Sequence, residues 1–234
     1  MIPLRDDQPS FSTPFINYFF IALNSLVYLW EFSVEQQSPR VLNAFVMQFG
    51  LVPHHAVAVL TGHSHASPAT AIIPFFTSMF LHASFMHVAG NMLFLWIFGD
   101  NVEDSLGHFN YVIFYFASGL AAAVTQVLIN PSSRLPTVGA SGAIAGVMGA
   151  YFVLYPRARV LVWFPPIFFF HVPAWLMLGY WFLYQFFSGT VTVIAETAQN
   201  GGIAFWAHVG GFAAGVIMIK LFPERRQRYR YGTW

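Results

Sequence analysis

Residues 138–155 read Val138-Gly139-Ala140-Ser141-Gly142-Ala143-Ile144-Ala145-Gly146-Val147-Met148-Gly149-Ala150-Tyr151-Phe152-Val153-Leu154-Tyr155, an apolar, glycine-rich run with a serine near its start and no charge. A second run of the same kind, Ala207-His208-Val209-Gly210-Gly211, holds an imidazole. A serine and a histidine set in apolar helices imply chemistry inside a membrane, where polar side chains default to function.

The rest of the chain fits that setting. Of its 234 residues 57% are hydrophobic and 8% charged, against roughly 25% charged in an ordinary soluble domain. The length accommodates about six spans of roughly 20 residues joined by short loops. We therefore expect an all-α polytopic membrane protein, a six-helix bundle forming one domain over residues 1–234, with spans near 15–32, 83–100, 111–129, 141–155, 170–187 and 203–222. Cysteine is absent, which excludes disulfides, a thiol nucleophile and a cysteine-ligated metal.

The first span is interrupted only by Asn17, Asn24, Ser25 and, near its end, Glu31, and no small-residue cleavage site follows it, so it reads as retained. From Ser33 to Ala71 a long first loop is expected, with short amphipathic helices, and a loop of that length is more often functional than filler. The second span carries His82, His87 and Asn91 and ends at the acidic Asp100 to Asp104. Asn130-Pro131 and Leu135-Pro136 stop the third. The fourth, at 1.5 Å per residue, is only about 22 Å long, which puts Ser141 below the membrane surface. Pro165-Pro166 and Pro173 break the apolar stretch 160–187, leaving the fifth span in its second half.

Six spans place both termini on one side. Arg5, Arg157, Arg159, Lys220, Arg225, Arg226, Arg228 and Arg230 then fall together, and Arg40 and Arg134 opposite. By the positive-inside rule the termini are cytoplasmic, so Ser141, His208, His87 and Asn91 all approach from the outer side.

Those groups suit peptide hydrolysis. A serine hydroxyl attacks when an imidazole takes its proton and later returns it to the leaving amine. The oxyanion needs preorganised donors, and the Asn91 amide, the His87 imidazole and the backbone amides near Ser141 are at hand. His87 and Asn91 stand at i and i+4, on one helical face. Ser141, Ala145 and Gly149 on one span, and His208, Gly211 and Gly215 on another, form stripes of small residues that let the two helices meet.

At these residues the sequence resembles the rhomboid family of intramembrane serine proteases. The motifs are Gly139-Ala140-Ser141-Gly142, His82 and His87 with Asn91, and Ala207-His208-Val209-Gly210-Gly211, joined by Phe98-Gly99 with Glu103 and by Trp181 with Gln185. Jointly they are highly specific and cover essentially the whole chain. The resemblance implies a six-helix rhomboid bundle, with Ser141 as nucleophile, His208 as base, and His87, Asn91 and the Gly139 backbone as oxyanion donors. It implies no cofactor and no metal, and as substrates the transmembrane segments of other membrane proteins, cut within or just outside the span. Two departures stand out. Ile73-Pro74 replaces a Trp-Arg pair common in the family, and Ala145 replaces the aromatic that stacks on the base, so an aromatic of span five is expected to orient His208.

Other polar groups read more plainly. His82 is structural, bonding loop groups. Glu103 organises a helix end. His54, His55, His63 and His65 are solvated loop residues rather than a metal site. The basic tail is a topology signal that meets anionic membrane lipid, and no nucleic acid is expected as a partner. A catalytically inactive rhomboid-like binder of membrane segments is the alternative, though such proteins lack the serine or the histidine. A transporter would carry intramembrane carboxylates. The compact chain points to a prokaryotic cell membrane, and the Gly- and Thr-bearing loop from Ser188 to Gly202 is a candidate gate.

Overall fold

A computed structural model describes residues 1–194 and 204–223. The protein is mostly helical: α1 Phe15–Gln37, α2 Pro39–Phe49, α3 Pro53–Leu60, α4 Pro68–Ile72, α5 Pro74–Thr77, α6 Phe85–Leu106, α7 His108–Ile129, α8 Ser141–Leu154, α9 Ala174–Ile194 and α10 Phe205–Met218. Each expected span holds one of the longer apolar helices, with shifted ends. By length and composition α1 and α7 can each cross a membrane, and the segments Pro68–Phe80 and Phe85–Leu106 form a pair bent by 77°. The apolar surface that remains exposed along these helices, such as Leu26 and Leu128, is what an integral membrane protein shows to lipid.

The all-α expectation needs correction. A three-stranded antiparallel sheet, β1 Ile2–Asp6, β2 Arg159–Phe164 and β3 Phe168–Pro173, lies in the order β1-β2-β3. Ile2 pairs with Trp163 and Asp6 with Val160 on one side of β2, and Phe164 pairs with Phe168 and Arg159 with Pro173 on the other. The β-branched and aromatic run from Val160 to Phe164 favours a strand, and Pro165-Pro166 turns it back. Strand β3 takes residues 168–173, so the fifth helix starts at Ala174 rather than 170. Between Ser33 and Ala71 the chain forms the short helices α2 and α3 and most of α4, in keeping with the short helices expected there.

Helix α8 is the axis of the bundle, with every residue from Gly142 to Tyr151 buried. It packs on α6, α7, α9 and most closely on α10. Backbone meets backbone there, since a Cβ on Gly215 would stand 2.0 Å from the Gly146 carbonyl oxygen, and one on Gly211 2.1 Å from that of Gly142. The α10 stripe is the expected one. On α8 the contact takes in Gly142 and Gly146 together with the expected Gly149, where a Cβ would stand 2.3 Å from the Phe212 carbonyl oxygen, and Ala145, whose Cβ is 3.3 Å from one placed on Gly211.

At the far end of the bundle from Ser141, Glu103 caps α1. Its Oε1 and Oε2 accept from the amides of Ile16 at 3.0 Å and Asn17 at 2.7 Å, and Oε1 lies 2.5 Å from Nδ1 of His108. A carboxylate at a helix N-terminus satisfies amides that have no intrahelical acceptor. This is the helix-end role expected of Glu103. Asn17 spans the same joint, donating to the Leu95 carbonyl at 3.0 Å and accepting from the Tyr111 hydroxyl at 2.9 Å.

Candidate active site

The loop before α8 is tied down at both edges. Thr137 and Leu51 exchange backbone hydrogen bonds of 2.8 and 3.0 Å, and the Gly139 amide donates to the Ser78 carbonyl at 2.9 Å. Gly139 has φ of +127°, and a Cβ there would stand 2.8 Å from the His87 ring. Only glycine takes that conformation and that contact. The chain then enters α8 at Ser141, where the first helical amides have no intrahelical acceptor.

Helix α10 brings His208 alongside, so that Nε2 is 2.7 Å from the Ser141 hydroxyl oxygen. Nδ1 of the same ring is 2.9 Å from Oε1 of Gln185 on α9. Gln185 and His208 are both buried. Proton bookkeeping assigns the bonds. For Nε2 to accept from Ser141, Nδ1 must carry the hydrogen, and it donates to the Gln185 oxygen. The expected aromatic is also present, since the Trp181 ring centroid lies 5.7 Å from that of His208 at 37°. The ring is therefore flanked by Trp181 and held in one tautomer by Gln185. The sequence signal for Gln185 is an amide one helical turn from Trp181 in an apolar span.

His87 and Asn91 face the same place from α6. Ser84 caps that helix, accepting from the His87 amide at 3.2 Å. The His87 Nδ1 accepts from the Ala83 amide at a long 3.4 Å, which leaves Nε2 as the protonated nitrogen turned toward Gly139. Asn91 Nδ2 is buried without a hydrogen-bond partner among the described residues. An unpaired buried donor costs about 1–3 kcal/mol, and Asn91 lines the cavity it shares with Ser141 and His208. The Gly139 amide, expected as a third donor, is already spent on Ser78. The donors left at this corner are the first-turn amides of α8.

A cavity of about 760 Å³ joins these groups, lined by Ser141, His208, His87, Asn91, Gln126 and Trp181 among others. It is roomy enough for an extended peptide segment. The His82 ring lies 5.1 Å from the His87 ring, and neither of its nitrogens has a partner among the described residues. Its tie to the surroundings is the backbone amide, which donates to Glu31 on α1 at 3.1 Å. In the first loop, His55 contacts the Thr70 hydroxyl at 3.2 Å and His63 that of Thr61 at 2.8 Å. Of the stretch Ser188 to Gly202, expected as a loop and candidate gate, residues 188–194 instead continue helix α9, and the rest lies outside the described residues, as does the basic tail after Pro223.

Residues 69–225 match the family model described as Rhomboid domain. The chain is 32% identical over 175 residues to "Rhomboid protein 1, mitochondrial" of Saccharomyces cerevisiae, a match covering 68% of this chain and 45% of that protein. It is 34% identical over 107 residues to "Presenilin-associated rhomboid-like protein, mitochondrial" of Mus musculus, covering 44% and 28%. With "RHOMBOID-like protein 12, mitochondrial" of Arabidopsis thaliana it shares 28% identity over 171 residues, covering 66% and 47%. The matched stretch spans less than half the length of each relative.

Proposed function

The chain belongs to the rhomboid family, and from that footing we propose that it is an intramembrane serine endopeptidase acting on transmembrane segments of other membrane proteins. The observation that carries this reading is the contact of 2.7 Å between the Ser141 hydroxyl and His208 Nε2, with Nδ1 anchored on Gln185. The Ser141 oxygen attacks the scissile carbonyl carbon while His208 Nε2 takes its proton. Nδ1–H stays on the Gln185 oxygen, which keeps the imidazole in the reactive tautomer and faces the positive charge that forms. The oxyanion is received by Asn91 Nδ2, His87 Nε2–H and the α8 first-turn amides. His208 returns its proton to the leaving amine as the C–N bond breaks. Water, deprotonated by the same histidine, then releases the acyl group from Ser141.

The bundle suits this role as one domain of six spans, formed by α1, α6, α7, α8, α9 and α10. Helix α8, with 14 residues, is about 21 Å long against about 30 Å of hydrocarbon. Since α8 and α10 both begin at the site, the dyad is recessed below one face, open to water there and to lipid laterally. Arg5, Arg157, Arg159 and Lys220 lie toward the opposite face, which the positive-inside rule makes cytoplasmic. The relatives are named as mitochondrial proteins, which does not favour the prokaryotic cell membrane expected from compactness; the proposed orientation holds for either membrane.

An inactive binder has no need of a serine and a histidine in contact, and so ranks below the protease. A fluorophosphonate probe should label the wild-type protein and neither Ser141→Ala nor His208→Ala. A wild-type protein that folds and is not labelled overturns the reading.

A further inference from the structure

The hairpin β2–β3 takes no part in the proposed chemistry, and its surface is unusual. Residues 164–170 read Phe-Pro-Pro-Ile-Phe-Phe-Phe, and all seven are exposed. Ile167 is 72% exposed, Phe168 and Phe169 each 59%, and Phe164 52%. A strand that faces water on one side alternates apolar with polar residues. Here Phe168, Phe169 and Phe170 follow one another, so both faces of the tip present aromatic rings. Burial against a groove on another protein would cover one face and leave the other in water.

We infer that this hairpin tip is seated in the interfacial zone of the bilayer, with acyl chains against both faces and anionic lipid headgroups at its base. Four observations converge on lipid as the occupant. The tip has no polar side chain, and its one indole N–H, that of Trp163, is satisfied within the hairpin by the Pro166 carbonyl at 3.1 Å. Arg157 and Arg159 are exposed at the base of β2, where cationic side chains meet headgroup phosphates. Trp163, of a residue type enriched at the membrane interface, flanks the tip. Finally, the hairpin joins the end of α8 directly to the start of α9, with the Ala174 amide on the Ala158 carbonyl at 2.8 Å, so it emerges from the bundle itself.

The depth has a limit. In the order β1-β2-β3 the outer edge of β3 has no strand partner among the described residues, and unpaired backbone groups are costly in hydrocarbon. The edge must keep headgroups or water, so the rings enter while the backbone stays at the interface. Because β3 runs straight into α9, which carries Trp181 and Gln185, this seat also holds the cytoplasmic end of the helix that orients His208.

The absence of cysteine makes the test clean. Ile167→Cys and Phe168→Cys, both at exposed positions that folding does not need, are nitroxide-labelled in the full chain reconstituted in vesicles of phosphatidylcholine and phosphatidylglycerol. Leu26→Cys on α1 and Gln36→Cys, exposed at the end of the same helix, serve as lipid and water references. Relaxation by oxygen that exceeds relaxation by a water-soluble nickel complex at 167 and 168, as at Leu26, is the expected result. Relaxation dominated by nickel, as at Gln36, places the tip in water and overturns the inference. Protection from both, with an immobilised spectrum, assigns the tip to a protein contact and overturns it equally. As a check without a label, brominated lipid should quench wild-type emission more than that of Trp163→Phe; equal quenching counts against the seat.

Discussion

At the residue scale the site turns on which atom holds which proton. Gln185 accepts from His208 Nδ1 and thereby selects the tautomer whose Nε2 is basic toward Ser141. Gln185→Leu removes the acceptor, worth about 1–3 kcal/mol for a buried bond, and should lower kcat about tenfold to a hundredfold with KM little changed. Gln185→Glu keeps an acceptor at the same reach and should restore most of the rate. If leucine and glutamate lose activity equally, the side chain only fills space. Asn91 makes a different prediction, because its Nδ2 has no partner among the described residues. Asn91→Ala should cost about 10²–10³ in kcat, the usual loss for one oxyanion donor. Its thermal unfolding temperature should stay level or rise, since a buried unsatisfied group is gone. Activity and melting measured on the same preparation decide the point. The sequence carried the identities of Ser141, His208, His87 and Asn91, because polar side chains in apolar runs stand out. It did not carry the occupation of the Gly139 amide by Ser78, which depends on a loop 60 residues away.

At the element scale the decisive contact is α8 on α10. Gly146 and Gly215 meet with no side chain between them, and the atom in the way of any added Cβ is backbone, which cannot rotate aside. Gly215→Val should therefore destabilise by about 1–3 kcal/mol or more, the range for overpacking a core. It should also weaken probe labelling of Ser141 by parting it from His208. Labelling and melting at wild-type level would show that the helices tolerate separation. Glu103 governs a joint at the other end of the bundle. Glu103→Ala leaves the Ile16 and Asn17 amides without an acceptor, and a melting temperature lowered by several degrees is expected, with Ser141 still labelled in the folded fraction. Loss of labelling in protein that remains folded would tie the two ends together. The stripes of small residues were legible in the sequence, and Ala145 and Gly149 do face α10; that Gly142 and Gly146 share the contact, about 100° round the helix from Ser141 and Ala145, was not.

At the scale of the whole molecule, the N-terminal strand closes the end of the bundle opposite Ser141 by pairing with β2 and setting Asp6 against the Tyr151 hydroxyl. Burial raises the Asp6 carboxyl to about 6, partly offset by the bond from Tyr151. A carboxyl whose folded value lies above its unfolded one, 3.8, favours folding most when protonated. Its contribution is complete below about pH 4 and lost as pH rises through about 6. Thermal unfolding in detergent should thus show a component of stability that declines over this window, and Asp6→Asn should remove that component. An unchanged profile in the variant would exclude Asp6 as its source. The sequence by itself determined that this protein lives in a membrane, where its long apolar helices lie and which polar residues are set among them. Hydropathy and helical spacing are local properties, written along a segment whatever it packs against. Only the tertiary structure decided that β1 pairs with a strand more than 150 residues away, that Glu103 caps α1, and that Gln185, rather than a stacked ring alone, orients His208. Those choices depend on which surfaces meet when the helices close up, and partner selection between distant segments is settled by packing and by the need to satisfy buried polar groups.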